Sequence, residues 1–364
     1  MRIALLAPTY WPEVRRGSER IVHDLGSELA RRGHEIDLLT SHRGRPSAST
    51  EDGIRVVRDW RVPEPSPLRF YERYLTTIPA VGARLLAGRY DVAHAFFPTH
   101  ACVAALCKRA GGPPFAFSIH GVPTREYLVA RRYRLEMIRA AISGADAVTV
   151  LSRAAAEPLR RYLRVEPEIL PGAVDCRRFA VDRERAAEPT LICAASLGDP
   201  RKRGALLLDG FARLRERRPE ARLVLAGGAD MPDYAGSRPM PADGVTVIDA
   251  DRTDALADAY ATAWASVLPA VGEAFGLVLV ESLAAGTPVV ASRSGAVPEL
   301  LTDDGIGSTF DPDDADDLSR AMDDGLRLGA EPEVADRCRA RAAEFDLPSV
   351  TDRVEALYRR IARR

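Results

Sequence analysis

The sequence predicts an α/β protein of two doubly wound parallel-sheet domains. Short apolar runs alternate with helical stretches along the chain, the pattern of repeated βαβ units. The series pauses over residues 171–188 and resumes near Thr190. At about 150 residues per domain, 364 residues suit two domains, and 46% hydrophobic residues give each half enough apolar mass for its own core.

The first unit begins with an apolar strand, Ile3–Ala7, and a loop. A helix is predicted from Ser18 to Arg32, with Ser18 as its cap. Ile21, Val22, Leu25, Leu29 and Ala30 recur at helical spacing and form its buried stripe. Gly33 ends it, and Glu35–Leu39 resumes as a strand. Further strands are expected at Ile54–Val57, Val92–Ala95, Phe115–Ile119, Ala147–Leu151 and Glu168–Leu170. The stretch from Val62 to Tyr90 is rich in Pro and aromatics and gives no clear element. In the second unit, strands are expected at Leu191–Ala195, Arg222–Ala226, Val245–Ile248, Ser266–Leu268 and Val289–Ala291. Helices are expected at Leu206–Arg217, Thr253–Ala263, Leu277–Ala285 and Asp314–Leu328, and a last helix at Val350–Arg364. The domains are therefore bounded at 1–172 and 173–349.

Charge and cysteine usage exclude several classes. The net charge is −1, so no global field recruits nucleic acid. The five cysteines are odd in number and form no CxxC pair, which argues against a disulfide framework and fits a reducing cytoplasm. The apolar run before Pro8 is too short for a signal segment, and no uncharged apolar run of membrane-spanning length occurs. HExxH, P-loop and GxSxG motifs are absent, and no GxGxxG follows a strand.

Ligands of open parallel sheets bind beyond the carboxyl ends of the strands. Polar and glycine-rich clusters fall there: Pro8–Gly17, His120-Gly121, Ser152, Ser196–Lys202, Gly227-Gly228, Glu273–Gly276 and Ser294-Gly295. The most informative is Glu273-Ala-Phe-Gly-Leu-Val-Leu-Val-Glu281. A helix starting near Phe275 presents N–H groups at Phe275, Gly276 and Leu277 that suit a phosphate or sugar oxygen. Glu281 can accept two hydrogen bonds from a ribose diol, and Glu273 can do the same for a hexose. The same spacing also describes an ordinary helix with a solvated Glu. Lys202 is a loop cation able to stabilise a leaving diphosphate, or else part of a solvated basic turn with Arg201 and Arg203. His120 could hydrogen-bond a sugar hydroxyl or shuttle a proton, or serve only the structure. Asp249-Ala-Asp251 resembles an acidic metal pair, but reads better as a loop and helix N-terminus.

Taken together, these residues resemble the retaining glycosyltransferases of family 4, which have the GT-B fold of two facing Rossmann-like domains with a cleft between them. The likeness runs through Tyr10-Trp-Pro…Gly17-Ser-Glu19, Arg32-Gly-His34-Glu, Tyr90-Asp-Val-Ala-His94, His120-Gly121 and Ala145 to Ser152. It continues through Leu170 to Asp175, Pro200-Arg-Lys202, Glu273-x7-Glu281, Ala285-Gly-Thr-Pro-Val289 and Gly295 to Glu299. Each match is weak alone; their order and spacing carry the resemblance.

The resemblance implies a cytoplasmic hexosyltransferase moving a sugar from a nucleotide donor to a hydroxyl acceptor, without cofactor or essential metal and with retention of anomeric configuration. Its implied catalytic residues are His120, Lys202 and Glu273. The implied donor-binding set is Gly17, Ser196, Arg201, Lys202, Glu273, Phe275, Gly276, Leu277 and Glu281. The C-terminal helix is expected to cross back onto the N-terminal domain. Two positions depart from the family pattern. Arg16 stands where a first glycine is usual, and Ser196 stands where an arginine commonly partners the lysine. Losing that cation costs on the order of 2–3 kcal/mol of transition-state stabilisation. A nucleotide-sugar 2-epimerase and a non-catalytic sugar-nucleotide or glycan binder are the competing readings. The acceptor classes are lipid, polysaccharide precursor and specialised metabolite. The basic and aromatic segment Arg125–Arg134 suits weak peripheral contact with the inner face of a membrane, or a solvated helix face.

Overall fold

The computed structural model describes residues 1–14, 16–63, 70–227, 243–249 and 253–363. The chain forms two compact units, Met1–Ala173 with Leu347–Arg364, and Val174–Asp346.

Unit 1 holds an eight-stranded sheet: β1 (Arg2–Leu6), β2 (Glu35–His42), β3 (Ser47–Glu51), β4 (Ile54–Trp60), β5 (Val92–Ala95), β6 (Phe115–Ile119), β7 (Ala147–Val150) and β8 (Glu168–Ile169). Their order is β3-β4-β2-β1-β5-β6-β7-β8, parallel except for the β3–β4 pair. Both faces are covered, so the strands read as continuous apolar runs. In β1, Ile3 and Leu5 face one core and Ala4 and Leu6 the other. The first core is closed by helix α1 (Gly17–Arg31) and by the C-terminal helix Leu347–Ala362, through Val354, Leu357, Tyr358 and Ile361. The second is closed by α2 (Ile78–Ala87), α3 (Pro98–Arg109) and, beyond the short helix α4 (Arg125–Val129), by α5 (Arg134–Gly144) and α6 (Arg153–Leu163).

The ends of α1 show what sequence fixes locally. Gly33 takes φ +87°, the left-handed position that lets the chain leave the helix. Its N–H donates to Ala30 O at 2.9 Å, and the His34 N–H to Leu29 O at 3.1 Å, which satisfies two terminal carbonyls. The other end corrects the expectation for Ser18. The helix starts at Gly17, Arg16 is the capping position without a side-chain cap, and Ser18 lies inside the first turn.

Unit 1 buries a polar chain beneath its strands. His94 Nδ1 lies 2.7 Å from Tyr358 Oη of the C-terminal helix, and His94 Nε2 lies 2.6 Å from Ser118 Oγ. Ser118 Oγ in turn bonds Thr149 Oγ1. These bonds meet the need of buried polar groups for partners and tie the last helix to β5, β6 and β7.

Unit 2 holds six parallel strands: β9 (Thr190–Cys193), β10 (Arg222–Gly227), β11 (Val245–Asp249), β12 (Ala265–Leu268), β13 (Val289–Ser292) and β14 (Gly307–Phe310), in the order β11-β10-β9-β12-β13-β14. Its helices are α7 (Gly204–Arg217), α8 (Thr253–Thr262), α9 (Leu277–Ala284), α10 (Val297–Leu300), α11 (Ala315–Gly329) and α12 (Val334–Ala343). Asp314 caps α11, accepting from the Asp316 and Asp317 N–H groups. The five cysteines are free thiols, and burial pushes those of Cys193 and Cys338 up to about 12.

Burial pushes His94 down to about 3 and His100 down to about 4, below the 6.5 of an exposed imidazole. The unfolded chain therefore binds more protons than the folded one below pH 6.5, so stability is full above that value and falls as pH drops through it. His23 acts in the opposite sense. Burial disfavours its charge, but Asp24 and Asp52 outweigh that and raise its pKa. His120, which burial also pushes down to about 4, makes three groups against one and leaves a net loss. Between pH 7 and pH 5 the unfolding equilibrium constant should rise on the order of tenfold or more in denaturant titrations. A flat profile would show that these imidazoles charge freely in the folded state.

Candidate active site

The expected site residues divide between the units. Gly17 and His120 belong to unit 1, and Ser196, Arg201, Lys202, Glu273, Phe275, Gly276, Leu277 and Glu281 to unit 2.

In unit 2 the strand order reverses between β9 and β12, which pair as neighbours while their connections leave in opposite directions. Such a switch point opens a crevice at the carboxyl ends. The loop after β9 carries Ser196 and Lys202, and the loop after β12 carries Glu273. Asp199 shapes the first loop: its carboxylate accepts the Arg201 N–H at 3.0 Å and caps a 3-10 turn at Pro200–Lys202. The two loops are joined by the Val271 N–H donating to Arg201 O at 2.9 Å. They are joined again by Lys202 Nζ donating to Glu273 Oε1. The side chains of this pair are 18% and 14% exposed, so they are desolvated enough for their attraction to be only partly screened. The neighbouring cations are otherwise engaged. Arg201 pairs with Asp199 at 2.6 Å and Arg203 with Asp313 at 2.6 Å. Ser196 is exposed.

The loop of Glu273 is held by its backbone. Ala296 N–H donates to Glu273 O at 2.9 Å, and Gly272 N–H to Ser294 Oγ at 3.0 Å. Gly295 has φ +58°, and a Cβ there would lie 2.3 Å from Glu273 O. Only glycine permits this approach. After Glu273 the chain turns into α9. The helix begins at Leu277, as its expected range has it, with Gly276 in the capping position at φ +95° and no side chain to cap. The first-turn N–H groups of this apolar helix point out of its N-terminus, where they favour an anion. Glu281, one turn in, is 2% exposed. The Phe275 ring is buried edge-on against Phe345, with centroids 5.3 Å apart, so this side chain serves packing while its backbone lies by the helix start.

In unit 1, Gly17 is the exposed first residue of α1, after β1. His120 follows β6; its ring lies 5.1 Å from that of Phe96, which stands after β5. Burial pushes His120 down to about 4, so it is a neutral imidazole at neutral pH, able to donate and accept. Its Nδ1 has no hydrogen-bond partner among the described residues. Sequence reasoning did not find the clamp on the loop after β1. Trp11 stacks on His23 at 4.1 Å, Arg58 donates to Trp11 O at 2.7 Å, and Thr9 donates to Glu19 at 2.7 Å. Beside this loop is a cavity of about 320 Å³ lined by Tyr10, Trp11, Ser41, His42 and Arg58. Among the described residues no cluster of His, Cys, Asp and Glu could hold a metal. Gly228 and Asp251 lie outside the described residues; Asp249 is an exposed residue of β11.

Two largely parallel sheets, each with a switch point and polar loops at the carboxyl ends, define a pair of Rossmann-like units. The comparisons make the class specific. Residues 15–178 match Glycosyltransferase Family 4 and residues 178–345 match Glycosyl transferases group 1. The chain is 30% identical to the MMP alpha-(1->4)-mannosyltransferase of Mycolicibacterium hassiacum, over 98% of both chains. It is 27% identical to the phosphatidyl-myo-inositol mannosyltransferase of Propionibacterium freudenreichii, over 98% of this chain and 94% of that one. Sucrose-phosphate synthase from Thermosynechococcus elongatus has the same fold, with a TM-score of 0.80 at 23% identity, covering 99% and 98% of the two chains. The chain belongs to the family 4 glycosyltransferases and has the GT-B fold.

Gly295→Ala adds a methyl where there is no room and at a φ that alanine resists. It should destabilise unit 2 by roughly 2 kcal/mol or more in denaturant unfolding. A loss below about 0.5 kcal/mol would show that the Glu273 loop can shift to admit it.

Proposed function

We propose that this glycosyltransferase moves a mannosyl-type hexose from a nucleotide donor to a hydroxyl acceptor with retention, without an essential metal. Unit 2 takes the donor and unit 1 the acceptor. The observation that carries this reading is the desolvated Lys202–Glu273 pair beside the Gly276-capped start of α9. A diphosphate arriving there meets an ammonium and outward-pointing N–H groups. It draws Lys202 to itself and frees the Glu273 carboxylate for sugar hydroxyls. Glu281 takes the ribose. As the sugar–phosphate bond lengthens, charge grows on the leaving oxygen, where Lys202 and the helix start stabilise it. The departing phosphate receives the acceptor proton on the same face. The names of the two mannosyltransferase relatives support mannose as the sugar.

His120, neutral and with an unpartnered Nδ1, hydrogen-bonds the transferred sugar. The cavity beside Trp11 takes the acceptor. Arg58 there is already held by Glu51 at 2.7 Å and by Trp11 O, which suits a neutral hydroxyl-bearing group better than an anion. With Ser196 in place of an arginine, and with Arg201 and Arg203 tied to carboxylates, Arg16 is the substitute cation we assign to the diphosphate.

Thermal unfolding with UDP-, GDP-, dTDP- and ADP-sugars tests the donor site. One nucleotide class should raise the midpoint by mass action, and Glu281→Ala should abolish that rise. No rise with any donor at millimolar concentration would sink the reading. Lys202→Ala should lower kcat by about 10²–10³, and chelator should leave kcat unchanged. Arg16→Gly should lower kcat/KM for transfer roughly tenfold or more; unchanged kinetics would reject Arg16 as the substitute.

A further inference from the structure

We propose that a face of unit 1 formed by Phe70, Val129 and Tyr133 with Arg125, Arg131 and Arg132 docks on an anionic lipid bilayer. These apolar side chains are 63%, 64% and 55% exposed, and they come from two segments, the chain before α2 and the α4–α5 turn. The segments are stitched firmly. Arg132 N–H donates to Phe70 O at 2.9 Å and Glu72 N–H to Arg132 O at 2.9 Å. Arg134 closes a buried ion pair on Glu72, with side chains 7% and 0% exposed. The Tyr71 and Tyr133 rings lie 5.5 Å apart, and the Arg132 guanidinium sits 5.6 Å over the Tyr71 ring.

This rigid base presents its apolar groups outward. Tyr133 holds φ +69°, a conformation an aromatic residue rarely adopts, while its ring stays largely in water. The fold thus accepts backbone strain and exposed apolar surface at one place. Arginines alternate with these apolar residues in sequence, and the Arg132 guanidinium lies over Tyr71, which packs on Tyr133. That arrangement suits the headgroup boundary, where rings and aliphatic tips enter a few ångströms and arginines meet phosphates. Charge agrees. Arg125, Arg131 and Arg132 face Glu126 alone within the α4–α5 turn, on a chain whose net charge is −1. α4 begins five residues after His120, so docking would bring the His120 loop to the lipid surface.

The test is co-sedimentation of the full chain with vesicles, which needs neither donor nor acceptor, so its failure leaves the transfer reading standing. The chain should bind vesicles of equal parts phosphatidylcholine and phosphatidylglycerol roughly tenfold better than phosphatidylcholine alone, and binding should weaken as salt rises. Arg131→Gln with Arg132→Gln, and separately Tyr133→Ser with Val129→Ser, should each lower partitioning roughly tenfold. Arg213→Gln with Arg217→Gln on α7 should not. Each variant is checked for an unchanged melting temperature, and Tyr133→Ser alone replaces any pair that fails. The proposal is overturned if the wild type stays in the supernatant at low salt, if it binds both vesicles equally, if the patch variants bind as the wild type does, or if the patch instead drives self-association in sedimentation.

Discussion

A parallel strand can be followed only by a crossover, so every connection starts from the same edge of its sheet. That constraint organises both units. With one antiparallel exception at β3, the described strands of each sheet run one way, and the loops that leave their carboxyl ends are gathered along one border. In unit 2 the connections diverge between β9 and β12, which removes the covering chain at that point. The Lys202 and Glu273 loops stand side by side there, though 71 residues separate the two side chains in sequence. In unit 1 the same divergence falls between β1 and β5, and the loops of Trp11, Phe96 and His120 flank it. The positions of the polar residues are consequences of topology before they are consequences of any contact.

The two borders differ in their electrostatics. Along this border unit 1 keeps His94 and His120 neutral. His94 is satisfied on both nitrogens within a sealed hydrogen-bonded chain, and His120 is desolvated next to Phe96. A neutral ring makes directional hydrogen bonds and imposes no charge. Unit 2 instead keeps a full ammonium and a full carboxylate together, which partial burial tolerates only because they pair. Hydroxyl recognition suits the first environment and charge stabilisation the second. The division matches the two demands of glycosyl transfer.

Much of this was legible in the sequence, for identifiable reasons. Strands covered on both faces read as unbroken apolar runs, so Ile3 to Leu6, Phe115 to Ile119 and Val289 to Ala291 stood out. Gly33 acts through its own backbone within a turn, and the sequence revealed it; Asp314, expected as the first helical residue, is instead the cap. Ser18 misled because Gly17 also accepts helical geometry and the hydroxyl lies two residues past the capping position. β3, Ser-Ala-Ser-Thr-Glu, has no apolar face to announce it, being an exposed antiparallel edge. β14 opens on Gly307, and α12 is dense in arginine, so neither shows a strong period. Long-range facts were out of reach: the Trp11–His23 stack, the Lys202–Glu273 pair and the turning of the Phe275 ring toward Phe345 depend on where distant segments meet.

If the Lys202–Glu273 pair marks the donor site, as we propose, the backbone around Glu273 explains how an ion pair can occupy it. If Lys202 alone held the loop, a phosphate that captured Lys202 would also release the loop and scatter the groups meant for the sugar. The loop does not depend on it. Ala296 N–H fixes the Glu273 carbonyl, Ser294 fixes Gly272, and Gly295 closes so tightly on Glu273 that no side chain fits between. The Glu273 backbone is therefore held without help from Lys202. On the proposed reading, what changes is only which charge the carboxylate answers, and the Lys202–Glu273 contact is exchanged for contacts with the ligand rather than lost.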